Sequence, residues 1–320
     1  MKGSGLSLFV LSARNVRDPI SSHFRLYLKE QQGIALVVTL LALVLITAMV
    51  VEFSYGVFTG TNNLYNWRDS QRLSIMAKSG INVSAKFLPE ALRQSKYATG
   101  SIEFPVENPF EDFKGAITIR IEDESSKFNL NALVNARGEQ NEVSCNLFRR
   151  LLRVLSLDEK IADKISDWID RDSVAALSNS EVNAKNSALL SVDELLLING
   201  ISRKDYDTLL PYVTVYGPTD SLLININGAE KPVLRCLADA IDDDLAQRVI
   251  DYRKNNPFLS SGDLSIVRGF EKDIGIPSGV IAVKGENFSI RSRAESGGVK
   301  KVIEAVLDNS AGTIKYWKEY

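Results

Sequence analysis

The sequence predicts an α+β chain: one long N-terminal helix packed on an antiparallel sheet, with a large all-α insertion built from a duplicated unit. Three observations predict it. Residues Ile34 to Val51 are apolar and uncharged, and the helical pattern they open runs on to Leu88. Short runs rich in β-branched residues follow, several of them near the C-terminus. Between Phe128 and Phe270, three sequence blocks recur in the same order.

Composition narrows the function before any motif is read. The 320 residues are 45% hydrophobic and 24% charged, enough to bury a core. Lys plus Arg number 38 and Asp plus Glu 40, a net charge of −2, which is not the balance of a general nucleic-acid binder. The single histidine, His23, and the two cysteines, Cys145 and Cys236, argue against histidine triads and His- or Cys-rich metal sites.

The apolar run comes first. Ile34–Val51 reads IALVVTLLALVLITAMVV and ends at Glu52. A helix of that length spans about 27 Å, close to the hydrocarbon thickness of a bilayer. A buried soluble helix would be patterned on one face, and a secretory signal would be shorter and close on a small-x-small site. Arg14, Arg17, Arg25 and Lys29 precede the run, so the N-terminus stays cytoplasmic and the remainder is exported. The segment Lys29-Glu30-Gln31-Gln32-Gly33 before Ile34 resembles a type IV prepilin leader, which is cut after the glycine. Cleavage between Gly33 and Ile34 would remove His23 and leave 33 basic against 38 acidic residues, a net charge of −5. Histidine-dependent catalysis would then be excluded outright.

Past Glu52 the helix continues without proline until Pro89, a natural stop. Leu73, Met76, Ala77, Gly80, Ile81 and Ser84 form a one-sided stripe of small and apolar residues. Strands are expected at Ala116–Ile121, Tyr212–Tyr216, Leu222–Ile226, Phe288–Arg293, Val299–Leu307 and Thr313–Trp317. The resulting division is a leader over 1–33, a membrane segment over 34–51 within a helix over 34–88, and the start of the sheet over 89–127. A first helical unit follows over 128–211, a second with flanking strands over 212–283, and closing strands over 284–320.

The repeat is the most specific feature of the exported part. Phe128-Asn129-Leu130-Asn131 matches Ile224-Asn225-Ile226-Asn227. Leu157–Trp168 matches Ile241–Tyr252, and Glu194–Ile201 matches Asp263–Phe270. The spacing between blocks is unequal, which places an enlarged loop in the first copy. Gly200 and Gly269 suit positive-φ ends. Each copy resembles a helix-hairpin-helix or SAM-like unit.

The leader-like start, Asp123–Asn131, the Asp167-Trp168-Ile169-Asp170 block and the Asn225-Ile226-Asn227 block together resemble the minor pseudopilin K family (GspK) of type II secretion systems, over the chain from Gly33 to about Leu307. The resemblance implies a type IV pilin-like fold with a helical insertion and no enzymatic activity. It implies an inner-membrane anchor with a single span, the C-terminal domain lying in the periplasm. Maturation would use a prepilin peptidase, with leader cleavage and methylation. The implied partners are minor pseudopilins I and J, the major pseudopilin and membrane lipid, in a complex that nucleates or caps the filament at its tip. Most pilins carry glutamate at the fifth mature residue, where it meets the amine of a neighbouring subunit; here that position is Val38. A tip subunit has no predecessor to neutralise, and an unpaired carboxylate in lipid is costly. The leader is longer than is usual in the family, and Ile34 stands where many pilins begin with phenylalanine, which keeps the first residue apolar.

The remaining candidates are weaker. Asp167, Asp170 and Asp172, with Glu181 in the following loop, offer oxygen donors of the kind calcium takes, and some family members resemble this in using calcium. Asp170, Asp172 and Glu181 are the candidate ligands, against a reading of the segment as a solvated acidic loop; Asp167 aligns with Asp251 and reads as structural. No cofactor is otherwise required. Cys145 and Cys236 could bridge in an oxidising compartment, although their apolar helical contexts suit buried thiols better. Trp67, Trp168 and Trp317 read as core or interface anchors. The alternatives in function are a minor pilin of a type IV pilus and a membrane-anchored helix-hairpin-helix DNA binder. Against DNA, Asp242, Asp243 and Asp244 would face a phosphate at the turn of the second copy.

Overall fold

The computed structural model describes residues 19–94, 101–107, 115–171 and 184–320. In chain order the elements begin with α1 (Pro19–Gln94), β1 (Ser101–Glu107), β2 (Ala116–Asp123) and β3 (Phe128–Asn129). The helices α2 (Glu142–Val154), α3 (Lys160–Ile169) and α4 (Arg203–Leu209) then lead to β4 (Val213–Thr214) and β5 (Ile224–Asn225). After α5 (Lys231–Cys236), α6 (Asp243–Arg253) and β6 (Ile281–Ala282) come β7 (Asn287–Ser296), β8 (Val299–Asp308) and β9 (Thr313–Glu319).

The chain divides into two units, residues 1–68 and 69–320. In the first, every described side chain from Gly33 to Arg68 is exposed. Helix α1 is long and apolar enough here to cross a membrane. Its hydroxyls return to their own backbone: Thr39 donates to the Leu36 carbonyl at 2.8 Å and Thr47 to that of Leu43 at 2.9 Å. That arrangement satisfies them without water, as lipid requires. Helix α1 starts at Pro19, a residue pre-set for the first helical position, so Gly33–Ile34 lies inside the helix rather than at its start.

In the second unit, α1 packs on a five-stranded antiparallel sheet of order β1-β2-β7-β8-β9. The predicted stripe forms the contact: Leu73, Met76, Ala77 and Ile81 are buried against Ile117, Ile119, Phe288 and Ile290. Gly80 permits this approach, since a Cβ there would lie 2.2 Å from Ser292 Oγ. The expected stop at Pro89 is corrected, because α1 runs through it to Gln94. A mid-helix proline costs about 3 kcal/mol, and here Leu88 and Leu92 on either side of it pack against the sheet core and offset that cost.

Strands Ala116–Ile121, Phe288–Arg293, Val299–Leu307 and Thr313–Trp317 are all present, each slightly longer than expected. Tyr212–Tyr216 and Leu222–Ile226 contribute only the two-residue strands β4 and β5, which pair in parallel outside the main sheet. β4 pairs with β3, so the first helical copy extends past residue 211. β1 is an addition to the predicted set. Ile102, Phe104 and Val106 alternate as a strand should, but Pro105 interrupts them, and proline is tolerated because β1 is an edge.

The helical insertion has its own core, separate from that beneath the sheet. It includes Phe128, Phe148, Leu151, Ile165, Leu195, Leu234 and Phe258.

Candidate functional site

The duplicated blocks do the same work in both copies. In the first, Asn131 Nδ2 donates to the carbonyls of Leu189 and Val215, each at 2.9 Å, and its Oδ1 accepts from Leu189 N–H at 2.8 Å. In the second, Asn227 Nδ2 donates to Phe258 and Val283, each at 2.9 Å, and its Oδ1 accepts from Phe258 N–H at 2.9 Å. Both side chains are buried, and each fills three of the four hydrogen-bond positions of a primary amide. Asn129 and Asn225 hold those asparagines in place, since the Oδ1 of each accepts from the backbone N–H two residues on at 3.1 Å. Each copy is thus closed by a parallel strand pair and one buried amide.

The third repeated block is equivalent as well. Glu194 accepts from Leu190 N–H at 2.8 Å, and Asp263 accepts from Leu259 N–H at 2.7 Å. Gly200 and Gly269 adopt φ of 82° and 109°, as their positions in the repeat predicted.

Asp123–Lys127 joins the insertion to the sheet. Asp123 Oδ2 accepts from Asn225 Nδ2 of the second copy at 2.6 Å, and Glu124 Oε2 accepts from the Thr214 hydroxyl of the first copy at 2.6 Å. Ser125 Oγ accepts from the N–H groups of Glu286 and Asn287, where the chain returns to the sheet. Lys127 Nζ pairs with Glu124 at 2.7 Å and Glu122 at 3.2 Å. Burial would pull the Lys127 ammonium down, but the two carboxylates push it above the ordinary lysine value. Burial pushes Asp123 above the ordinary aspartate range, against hydrogen bonds from Ser126, Asn225 and Ser125 N–H. Gly285 leaves room for this carboxylate, since a Cβ there would lie 2.5 Å from Asp123 Oδ1.

Between the sheet face turned away from α1 and the insertion lies a cleft of about 480 Å³, with the Asp123–Lys127 turn among its walls. A second tie crosses from sheet to insertion. Lys318 of β9 donates to Asp193 at 2.8 Å, Tyr206 donates to the same carboxylate at 2.6 Å, and Tyr216 packs against Tyr316 with centroids 6.3 Å apart. The Lys318 and Tyr206 hydrogen bonds hold Asp193 below the usual aspartate range.

The predicted site residues fall as follows. Gly33, Ile34 and Val38 are exposed on α1. Asp170 caps the C-terminus of α3 and is buried, as is Asp167, while Asp172 and Glu181 lie outside the described residues. Among the described residues, no three His, Cys, Asp or Glu are grouped to hold a metal. The suggested Cys145–Cys236 bridge is absent. Both are buried free thiols, Cys145 beside the Leu133 carbonyl and Ser166, and Cys236 donating to the Val233 carbonyl. Trp168 is buried, Trp67 exposed and Trp317 partly exposed. At the start of α6, the Asp242 side chain accepts from Leu245 N–H at 2.7 Å and Asp243 pairs with Arg235 at 3.0 Å. A carboxylate therefore already occupies the helix end that a phosphate would need. The sequence shows the asparagine blocks but not their task; two asparagines at one spacing in both copies are the signal it carries.

Two family models described as type II secretion system protein K match residues 126–219 and 224–283, the spans that hold the first and second copies. Over both copies the chain is similar to the type II secretion system protein K family. The family's protein from Pseudomonas aeruginosa is 28% identical over 311 residues, covering 87% of this chain and 89% of its own. That of Aeromonas hydrophila is 28% identical over 239 residues, covering 64% and 68%. A solved structure, the GspK-GspI-GspJ complex from enterotoxigenic Escherichia coli, shares the fold: TM-score 0.63 at 17% identity, over 81% of this chain and 99% of the matched one.

Proposed function

We infer that this chain, a minor pseudopilin of a type II secretion system, sits at the tip of the periplasmic pseudopilus and starts or caps its assembly. The observation that carries this reading is an exposed apolar helix and a packed sheet with its insertion, present in one chain. A helix with a bare apolar run leads into a sheet, and a duplicated helical insertion is fastened to that sheet through Asp123–Lys127. The task is mechanical. A prepilin peptidase cuts after Gly33, the new N-terminus at Ile34 is methylated, and the anchored helix joins pseudopilins I and J in the inner membrane. The major pseudopilin adds below, while the bulky insertion obstructs addition above. Val38 supports the tip position, since no preceding subunit presents an amine that a carboxylate would neutralise. The pilin-like and SAM-like descriptions of the sheet and the copies belong to the same reading, as does a periplasmic location for everything after the span. The matched GspK chain crystallised with GspI and GspJ, which supports those two as partners.

N-terminal sequencing of the membrane-extracted protein tests it. A first residue of Ile34 is expected, and an intact leader on protein from assembled secretion systems overturns the maturation step. Co-purification with pseudopilins I and J is expected, and its absence removes the tip assignment.

A further inference from the structure

We propose that the face formed by the β1 edge and the adjoining flank of α1 is the seat of a sibling pseudopilin's long helix, an assignment that rests on the pseudopilin reading above. On β1, Ile102, Phe104 and Val106 point to the same side of the sheet as Ile117, Ile119 and Ile121, the side that α1 covers. They are 53%, 37% and 39% exposed, so α1 does not reach far enough to cover them.

The register of α1 identifies the helical residues beside them. Lys78 and Ser74 meet Glu319 of β9, which places that flank of α1 at the β9 edge. Gly80 sits over Ile119 and Ser292, on β2 and β7. At 100° per residue, Val83 and Phe87 fall beyond Gly80 on the flank opposite Lys78, toward β1. They are 52% and 64% exposed. Five large apolar side chains therefore form one patch across a helix and a strand. An ordered patch of this kind marks an interaction surface.

The rest of the sheet surface differs in kind. On its other side, register aligns Glu103, Arg120, Arg291, Glu304 and Lys318 in one charged row across all five strands. Beside β9, the Lys78–Glu319 pair closes the flank of α1. At the β9 edge the exposed Ile314 and Trp317 lie beside the Lys78–Glu319 pair, whereas among the described residues β1 carries only apolar side chains on the side that α1 covers.

The occupant follows from two further features. Pro105 lacks an N–H in the middle of β1, so the edge cannot support a regular added strand, and the partner must dock through side chains. Val83 and Phe87 belong to the same helix that carries the uncharged run Ile34–Val51. A partner anchored in the same membrane brings a like helix alongside, and its apolar flank matches this patch. A partner strand, or a soluble partner without a helix, would leave one of these two features unused.

The test is photo-crosslinking and pull-down from membranes in which the full chain is co-expressed with pseudopilins I and J. p-Benzoyl-phenylalanine at the position of Phe104 should crosslink to I or J, and the same probe at Ile314 on β9 should not. The double variant Phe87→Glu with Phe104→Glu should recover at least tenfold less I and J than the parent, as expected for losing two central aromatic anchors. Ile314→Glu should recover the parental amount. If the parent chain recovers no I or J, the pseudopilin reading itself fails. If the parent recovers them, but the double variant does so equally and Phe104 does not crosslink to them, the seat is wrongly assigned. A Phe104 crosslink to a second copy of this chain overturns the choice of occupant. The single-site probes decide the matter even if the double variant folds poorly.

Discussion

Replacing Asn227 by alanine should cost about 3–5 kcal/mol of stability. The side chain makes three hydrogen bonds, each 2.9 Å long, to backbone groups of Phe258 and Val283. It is 1% exposed, so water cannot take its place. Truncation leaves one N–H and two carbonyls buried without this partner. At about 1 kcal/mol for each bond, and about 1 kcal/mol more for the void, the total reaches that range. Asn131→Ala removes the same three bonds in the first copy and should cost a similar amount. Urea unfolding of the detergent-solubilised chain, followed through tryptophan fluorescence, would register either change as a fall of about 1–2 M in the midpoint. Asn227→Asp keeps the shape and the acceptor but turns a carboxylate oxygen toward two carbonyls, so it should be at least as destabilising. A loss below 1 kcal/mol for both alanine variants would refute the view that these amides close the two copies. So would a large loss in one copy and none in the other.

Gly80→Ala should destabilise the second unit by about 1–3 kcal/mol, because its Cβ would meet Ser292 Oγ at 2.2 Å; adding Ser292→Ala should recover part of the loss in the same unfolding assay, and no recovery would place the strain elsewhere. Asp193 is held below its ordinary range by Lys318 and Tyr206, so the stability it contributes is present above the unfolded aspartate pKa and disappears as pH falls toward its folded value. Hydrogen exchange in β9 should accelerate over that acid window in the parent and show no such step in Asp193→Asn. Burial pushes the Cys236 thiol up to about 12, and Cys145 is raised as well. Both should resist alkylation at pH 8 in the native chain and react fully, without reductant, once it is unfolded.

Much of this architecture was legible because the sequence states it twice or at length. The uncharged run is long enough to read by itself, the small-residue stripe from Leu73 to Ser84 keeps helical spacing, and the three blocks recur in one order. The misread parts involve competing signals. Pro89 is a helix breaker by local chemistry, yet Leu88 and Leu92 pack against the sheet core on either side of it. Pro105 similarly obscured β1, whose alternation of Ile102, Phe104 and Val106 was present but interrupted. Tyr212–Tyr216 and Leu222–Ile226 carry strand-like composition, although their partners are the short strands that close each helical copy. The junction at Asp123–Lys127 was visible only as a stretch of family likeness. Its bonds to Thr214, Asn225 and Asn287 join residues far apart in the chain, and no local pattern reports such contacts.

The chain leaves the sheet after Asp123 and comes back at Asn287, and Asp123 lies opposite Phe288 in the ladder between neighbouring strands. Topologically, everything between is an overgrown hairpin loop with its own interior. Such a loop can be enlarged, exchanged or excised without re-threading the platform below it. A short turn spliced from Asp123 to Asn287 should therefore leave a minimal subunit that still pairs its five strands and keeps α1 seated, stripped of whatever the headpiece confers.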